Sequence, residues 1–176
     1  MGRAGAIIQV CRFRRLSFDV TRGPQRRPPE TRRPGHSHED AMRTDIYANY
    51  NGTCEDAFRF YEQHLGGKVT GLTTHANGPM SGRLPEAWRD KVLHARLELG
   101  NTALMGADIP GAEPMRSAYV TLTLDTAEEA ERVYALLVDG GQIFMKLETT
   151  FFASRFAQLR DRFGTSWMLL HEHPTR

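Results

Sequence analysis

Three groups of residues in this sequence have side chains and spacings that could do chemistry. His94, Arg96 and Glu98 alternate within "VLHARLEL". If that run is a strand, all three share one face, because successive strand residues point to opposite sides. Imidazole and carboxylate are metal donors. Two donors are a weak cluster, and an exposed or hydrogen-bonded strand face is the expected reading. His171 and His173 also share a strand face, in "HEHPTR", but at a terminus that frays, where adventitious metal binding fits better than a built site. The second group is Phe152, Arg155 and Trp167. An arginine beside aromatic rings can clamp a carboxylate or phosphate, and it can equally bond loop carbonyls. The third is Cys54, placed in the first turn of a helix, where the dipole lowers a thiol pKa. No partner base lies near it in sequence, so a structural role is expected. There is no Ser-His-Asp order, no nucleotide-binding glycine loop and no Cys-x-x-Cys motif, so no catalytic residue can be named.

The elements that must position these groups follow from hydrophobic period. "TDIYANY" alternates, with Ile46, Ala48 and Tyr50 on one face and Tyr47 and Asn49 on the other. Thr53 and Asp56 have capping-box-like spacing. Cys54, Ala57, Phe58, Tyr61 and Leu65 then form one helical stripe, and Gly66-Gly67 ends it. "KVTGLTTH", "VLHARLEL" and "TALMGA" read as strands, the last two joined by a tight turn at Gly100-Asn101. The order then recurs. "AYVTLTL" alternates, Thr126 and Glu129 form a capping box, and Ala130, Val133, Tyr134 and Leu137 make a stripe that Gly140-Gly141 stops. "QIFMKLE", "RFAQLRD" and "TSWMLLH" complete the set. The repeat predicts an α+β fold of two βαβββ modules, about 42–110 and 115–176.

A four-stranded sheet with one helix has only one face covered. Two such modules can curl into a half-open barrel with a central cleft. Ile46, Ala48, Tyr50, Ala118, Val120 and Leu122 suit the helix side. By elimination Tyr47, Asn49, Tyr119, Thr121 and Thr123 point toward the cleft, giving aromatic surface with hydroxyls and an amide, the make-up of a small-molecule site. The same residues could instead fill a closed core or an oligomer contact.

Charge and composition narrow the classes. The formal net charge is +2, but residues 1–41 carry nine Arg against four acids, leaving 14 basic and 17 acidic residues in 42–176. The folded part therefore has no basic excess to suggest nucleic acid. Residues 1–41 are rich in Pro and Arg and are expected to be a disordered basic extension. No apolar run reaches the roughly 18 residues of a membrane span, so no membrane partner is expected. Two cysteines, Cys11 and Cys54, make no disulfide framework and fit a reducing, cytoplasmic compartment.

The stretches "NGTCEDAFRFYEQHLGGKV", "WRDKVLHARLELGNTALMGAD", "EEAERVYALLVDGG" and "DRFGTSWMLL" resemble the vicinal oxygen chelate superfamily of glyoxalases, bleomycin-resistance proteins and dioxygenases. More closely they resemble its PhnB-like branch, also labelled 3-demethylubiquinone methyltransferase-like. The resemblance implies the paired-module fold over 42–176. Metal-dependent members place His or Glu ligands two per module. The matching positions here are Ile46 or Tyr47, one near Met105, Ala118 or Tyr119, and Trp167 or Met168, none of them a good ligand. No metal and no cofactor are therefore expected. The reading is a small-molecule binding, sequestering protein, with Tyr47, Asn49, His94, Arg96, Tyr119, Thr121, Phe152, Arg155 and Trp167 as ligand-binding candidates. The alternative is a metal-dependent lyase, isomerase or dioxygenase using residues such as His94 and Glu98. The resemblance also implies a homodimer, and the nearly uncharged edges of the first strand and of "YVTLTL" favour pairing.

Overall fold

A strand that alternates apolar and polar residues offers a helix one face only, and both halves of the chain are built on that rule. The computed structural model describes residues 44–79 and 85–173. The extension expected over 1–41, with Cys11, lies outside them. The first module runs β1 (Ile46–Tyr50), α1 (Cys54–Leu65), β2 (Lys68–Thr74), β3 (Val92–Leu99) and β4 (Thr102–Asp108). The second runs β5 (Val120–Thr123), α2 (Ala127–Val138), β6 (Gln142–Glu148), β7 (Ala153–Arg160) and β8 (Ser166–Glu172). Each module has its own four-stranded sheet, in the orders β1-β4-β3-β2 and β5-β8-β7-β6. In both, the first strand lies parallel to the last and the other neighbours are antiparallel. The α+β class and the βαβββ repeat are as the sequence implies. The two sheets stay separate and do not close into a barrel.

The helices cover the sheets with the stripes read from sequence. Cys54, Ala57, Phe58 and Tyr61 of α1 are buried, as are Ala130, Val133 and Leu137 of α2. Gly66 ends α1 in the left-handed region at φ 72°, which glycine adopts without steric cost. The two helix starts differ. Thr126 caps α2, its hydroxyl accepting from the Glu129 amide at 3.1 Å. Thr53 makes no such bond. Its place is taken by Asp108 at the end of β4, whose Oδ1 accepts from the amides of Gly52 (2.8 Å) and Cys54 (3.0 Å). Its Oδ2 accepts from the Val92 amide at 2.9 Å. The capping box expected at Thr53 and Asp56 is thus corrected: a carboxylate from a distant strand accepts from the first amide of the helix.

The modules meet through their helix-bearing sides. Tyr61 of α1 lies edge-on to Trp167 of β8, with centroids 5.2 Å apart. Its hydroxyl donates to Asp161 Oδ2 at 2.6 Å, and the Trp167 indole N–H donates to the same oxygen at 2.7 Å. Asp161 Oδ1 accepts from the amides of Phe163 (2.9 Å) and Thr165 (3.0 Å). The Tyr50 hydroxyl reaches the Thr165 hydroxyl at 3.0 Å. Arg132 of α2 donates to the His64 carbonyl of α1 at 3.2 Å. A buried carboxylate with four donors thus ties the β7–β8 turn to the first helix.

Candidate functional site

Because each helix occupies one side of its sheet, the other side of each sheet is left open, and most of the candidate residues lie there. On the first sheet, register sets Tyr47 beside Met105 and Met105 beside Arg96. Asn49 pairs with Ala107 and His94 with Thr73, on the same face. The Tyr47 and His94 rings stack at 5.9 Å and 27°, with the hydroxyl 3.4 Å from Nδ1. Burial, and to a lesser degree the neighbouring Cys54, push the Tyr47 phenol above its ordinary value. It is therefore protonated at neutral pH and can donate to a ligand. Arg96 is committed within the sheet: Nη1 bonds Asp45 Oδ2 at 3.3 Å and Met105 Sδ at 3.5 Å, and Nε lies 3.8 Å from Glu98.

On the second sheet Tyr119 and Thr121 share the open face with residues that sequence reasoning missed. Phe144 of β6 meets Tyr119 edge-on at 6.4 Å, and the Arg160 guanidinium stands 5.2 Å from the Phe144 ring centre. Phe152, 45% exposed, meets Phe151 and Phe156 edge-on. Tyr47, Phe144 and Met145 are likewise substantially exposed. The signal for Phe144 was present in "QIFMKLE", whose period places it opposite Leu147, but no partner for it could be read from sequence.

Two candidates go elsewhere. Trp167 is fully buried on the helix side, bonded to Asp161, and is a core residue rather than part of an open face. Arg155 also turns to the helix side, where Nε and Nη2 grip Glu131 of α2 at 2.9 and 2.7 Å, and Nη1 donates to the Ser154 carbonyl. The reason is the two-residue period of β7: Ala157 and Leu159, buried on the helix side, have the same parity as Arg155. The remaining candidates therefore form two groups, Tyr47, Asn49, His94 and Arg96 on one sheet, and Tyr119 and Thr121 on the other with Phe152 immediately before its β7. Among the described residues no hydrogen bond or ring contact joins the two groups. The space that both modules do line is a cavity of about 460 Å³ on the helix side, between β1 and β5, walled by Ile46, Leu65, Leu104, Val120, Leu122 and Val133.

The donor set does not fit a transition metal. The open faces carry Tyr47, Met105, Tyr119 and Met168 at the relevant strand positions, phenols and thioethers rather than imidazoles, carboxylates or thiolates. Among the described residues, no group of three or more His, Cys, Asp or Glu is placed to hold a metal ion. Burial, reinforced by Asp108 and Glu55, pushes the Cys54 thiol far up, so it is neither a nucleophile nor a ligand in this state.

Comparison with known proteins agrees with the architecture. A family model described as the Glyoxalase/Bleomycin resistance protein/Dioxygenase superfamily matches residues 43–169. The chain is 36% identical to protein PA1353 from Pseudomonas aeruginosa, with a TM-score of 0.68, covering 76% of this chain and all of that one. It is 27% identical to Protein YjdN of Escherichia coli K12 over 146 residues, 74% of this chain and 97% of the relative. The PhnB protein from Bacillus cereus has the same fold at 22% identity and a TM-score of 0.63, over 74% of this chain and 99% of that one.

Proposed function

Because the chain belongs to the glyoxalase/bleomycin resistance protein/dioxygenase superfamily, we propose that it is a metal-free binding protein that holds and sequesters a small, partly aromatic molecule. The observation that carries this reading is the exposed aromatic surface of the open sheet faces, with polar groups set into it. Tyr47 over His94 and Tyr119 against Phe144 offer ring faces, while Asn49, Thr121 and the Tyr47 hydroxyl offer hydrogen bonds. Apolar rings with a few oriented polar groups are what small-molecule sites use. Exposed aromatic patches on a folded chain mark surfaces that bind something.

A homodimer fits the same geometry. Each open face by itself is a half-site, and a second copy can set the Tyr47 face of one chain against the Tyr119 face of the other, shutting water out of the space between. The uncharged outer edge of β5 has no strand partner among the described residues, which favours such pairing.

The test is a thermal-shift screen of neutral and charged aromatic compounds, run beside Tyr47→Ala and Thr121→Ala variants, with light scattering for mass. A binder raises the melting temperature by mass action. Shifts that vanish in the variants, on a species of twice the chain mass, are the expected result. Shifts indifferent to both substitutions, or a monomer at micromolar concentration, would overturn the reading.

A further inference from the structure

The two modules each carry one arginine on the open face of their third strand, Arg96 on β3 and Arg160 on β7, and the two are treated differently. Arg96 is neutralised by Asp45 and Glu98. Arg160 has no carboxylate partner among the described residues. Its Nη1 lies 3.5 Å from Gln142 Oε1, at the limit of a hydrogen bond, and its Nε is buried with no partner among the described residues. Other arginines of the second module use that side of the guanidinium on an acid: Nε and Nη2 of Arg155 hold Glu131, and those of Arg132 hold Glu129. A buried charged donor left unpaired is costly, and native proteins rarely tolerate one without a use for it.

The surroundings say what the use is. Register places Gln142, Arg160 and Ser166 in one row across β6, β7 and β8. Tyr119 immediately precedes β5 at the end of the same row. Phe144 comes from one outer strand of the sheet and Tyr119 from the residue before the other, yet their rings meet at 6.4 Å. They bridge the strands between them, with the Phe144 ring 5.2 Å from the guanidinium. Ser166 is already spent, its hydroxyl donating to the Met115 carbonyl at 2.9 Å. Arg160 is thus the charge of this row, with the Phe144 ring near its guanidinium and the Tyr119 ring edge-on to Phe144.

We propose that Arg160, with Phe144 and Tyr119, is the anion subsite of the open face, and that it takes the carboxylate of a planar, apolar acid. The Nη1–Nη2 end of the Arg160 guanidinium, in front of the buried Nε, can donate to two carboxylate oxygens in parallel, which a lone ammonium cannot do. The acid's ring lies against Phe144 and Tyr119. This rests on the binding reading above and narrows it from partly aromatic molecules to aromatic or similarly flat carboxylates.

Calorimetric titration of the full chain with benzoate, its neutral isostere benzamide, and inorganic phosphate tests it. Benzoate is expected to bind roughly tenfold or more tighter than benzamide, because the charged hydrogen bonds are lost in the amide. Phosphate, which has the charge without the ring, should bind more weakly than benzoate. Arg160→Met should erase the preference for benzoate with little change in melting temperature, since only a long bond to Gln142 and the charge over Phe144 are lost and an unpaired buried N–H goes with them. Arg160→Lys should recover little of it, and Phe144→Leu should weaken benzoate while leaving phosphate unchanged. Equal binding of benzoate and benzamide, no binding of benzoate, or an Arg160→Met chain that melts much earlier would each overturn the subsite. If neutral aromatic compounds still bind and respond to Tyr47→Ala, only the subsite falls. If nothing responds to the open-face variants, the binding reading falls with it.

Discussion

Replacing Asp161 with asparagine should loosen the attachment of one module to the other, and the cost can be worked from four hydrogen bonds. The amide oxygen can keep the two bonds that Oδ1 makes to the Phe163 and Thr165 amides. The new NH₂ then takes the place of Oδ2, facing Tyr61 and Trp167. The Tyr61 hydroxyl can turn to Thr165 Oγ1, 3.0 Å away. The Trp167 indole is a donor only and is left pointing at another donor from 2.7 Å. Losing one charged, buried hydrogen bond and stranding its donor costs about 2–4 kcal/mol. Trp167→Phe removes the same donor, so the two substitutions should be strongly non-additive, with a coupling of roughly 1.5–3 kcal/mol. Urea unfolding followed by far-UV circular dichroism measures both. The pH dependence has a definite sign. Burial holds Asp161 above the ordinary carboxylate value, against the pull of its four donors. Across the interval from the unfolded value up to that raised value the folded chain binds more protons, so wild-type stability falls as pH rises through it and is level above. Asparagine does not titrate, so its penalty is largest on the acid side and shrinks toward neutrality. An additive cycle, or a penalty that grows with pH, would refute the account of this clamp.

Other perturbations reach the remaining elements. Asp108→Ala strips three amides of their acceptor and should destabilise by about 2–4 kcal/mol in chemical unfolding, more than Thr126→Ala, which removes one cap worth about 1 kcal/mol. Gly141→Ala pushes a methyl into the carbonyls of Arg160 and Leu137, backbone that cannot yield, and should lower the melting temperature more than Gly66→Ala, where the space is open and only the positive φ resists. Cys54 should resist maleimide in the folded chain and react once urea unfolds it, read by mass spectrometry of the peptide that contains it. Protein purified without an affinity tag and dialysed should carry no stoichiometric zinc, nickel, manganese or iron by elemental analysis, and retained metal lost on His94→Ala would favour the enzymatic alternative.

The repeat was legible because its punctuation is local. Double glycines, alternating strands and two helical stripes all act within a few residues, and β3 and β6 match the quoted runs residue for residue. The open-face group of Tyr47, Asn49 and His94 was legible for the same reason, since strand parity is fixed by neighbours. What escaped depends on residues far apart in the chain. Asp108 replaces the expected Thr53 cap from 54 residues beyond Cys54. Trp167 and Arg155 were grouped as an aromatic and an arginine able to clamp an anion, while the parity of β7 and β8 gives both to the helix side. Arg160 gave no signal of its own, because an unpaired arginine is defined by the absence of an acid that only the folded sheet reveals.

The Asp108 cap also sets an order in time. In the second module the hydroxyl that starts α2 is three residues from the amide it serves, so that helix can begin as soon as its own segment exists. In the first module, the carboxylate that satisfies the start of α1 arrives with the fourth strand, after two strands and the long connection between them have been laid down. A loop of that length must close before the cap forms, and closure over long separations slows folding. During synthesis α1 would wait uncapped while roughly fifty residues follow it, counted from the 54-residue separation of Cys54 and Asp108. Pulse-labelling hydrogen exchange should accordingly protect the first amides of α2 before those of Gly52 and Cys54, and simultaneous protection would show that the two halves do not keep separate clocks.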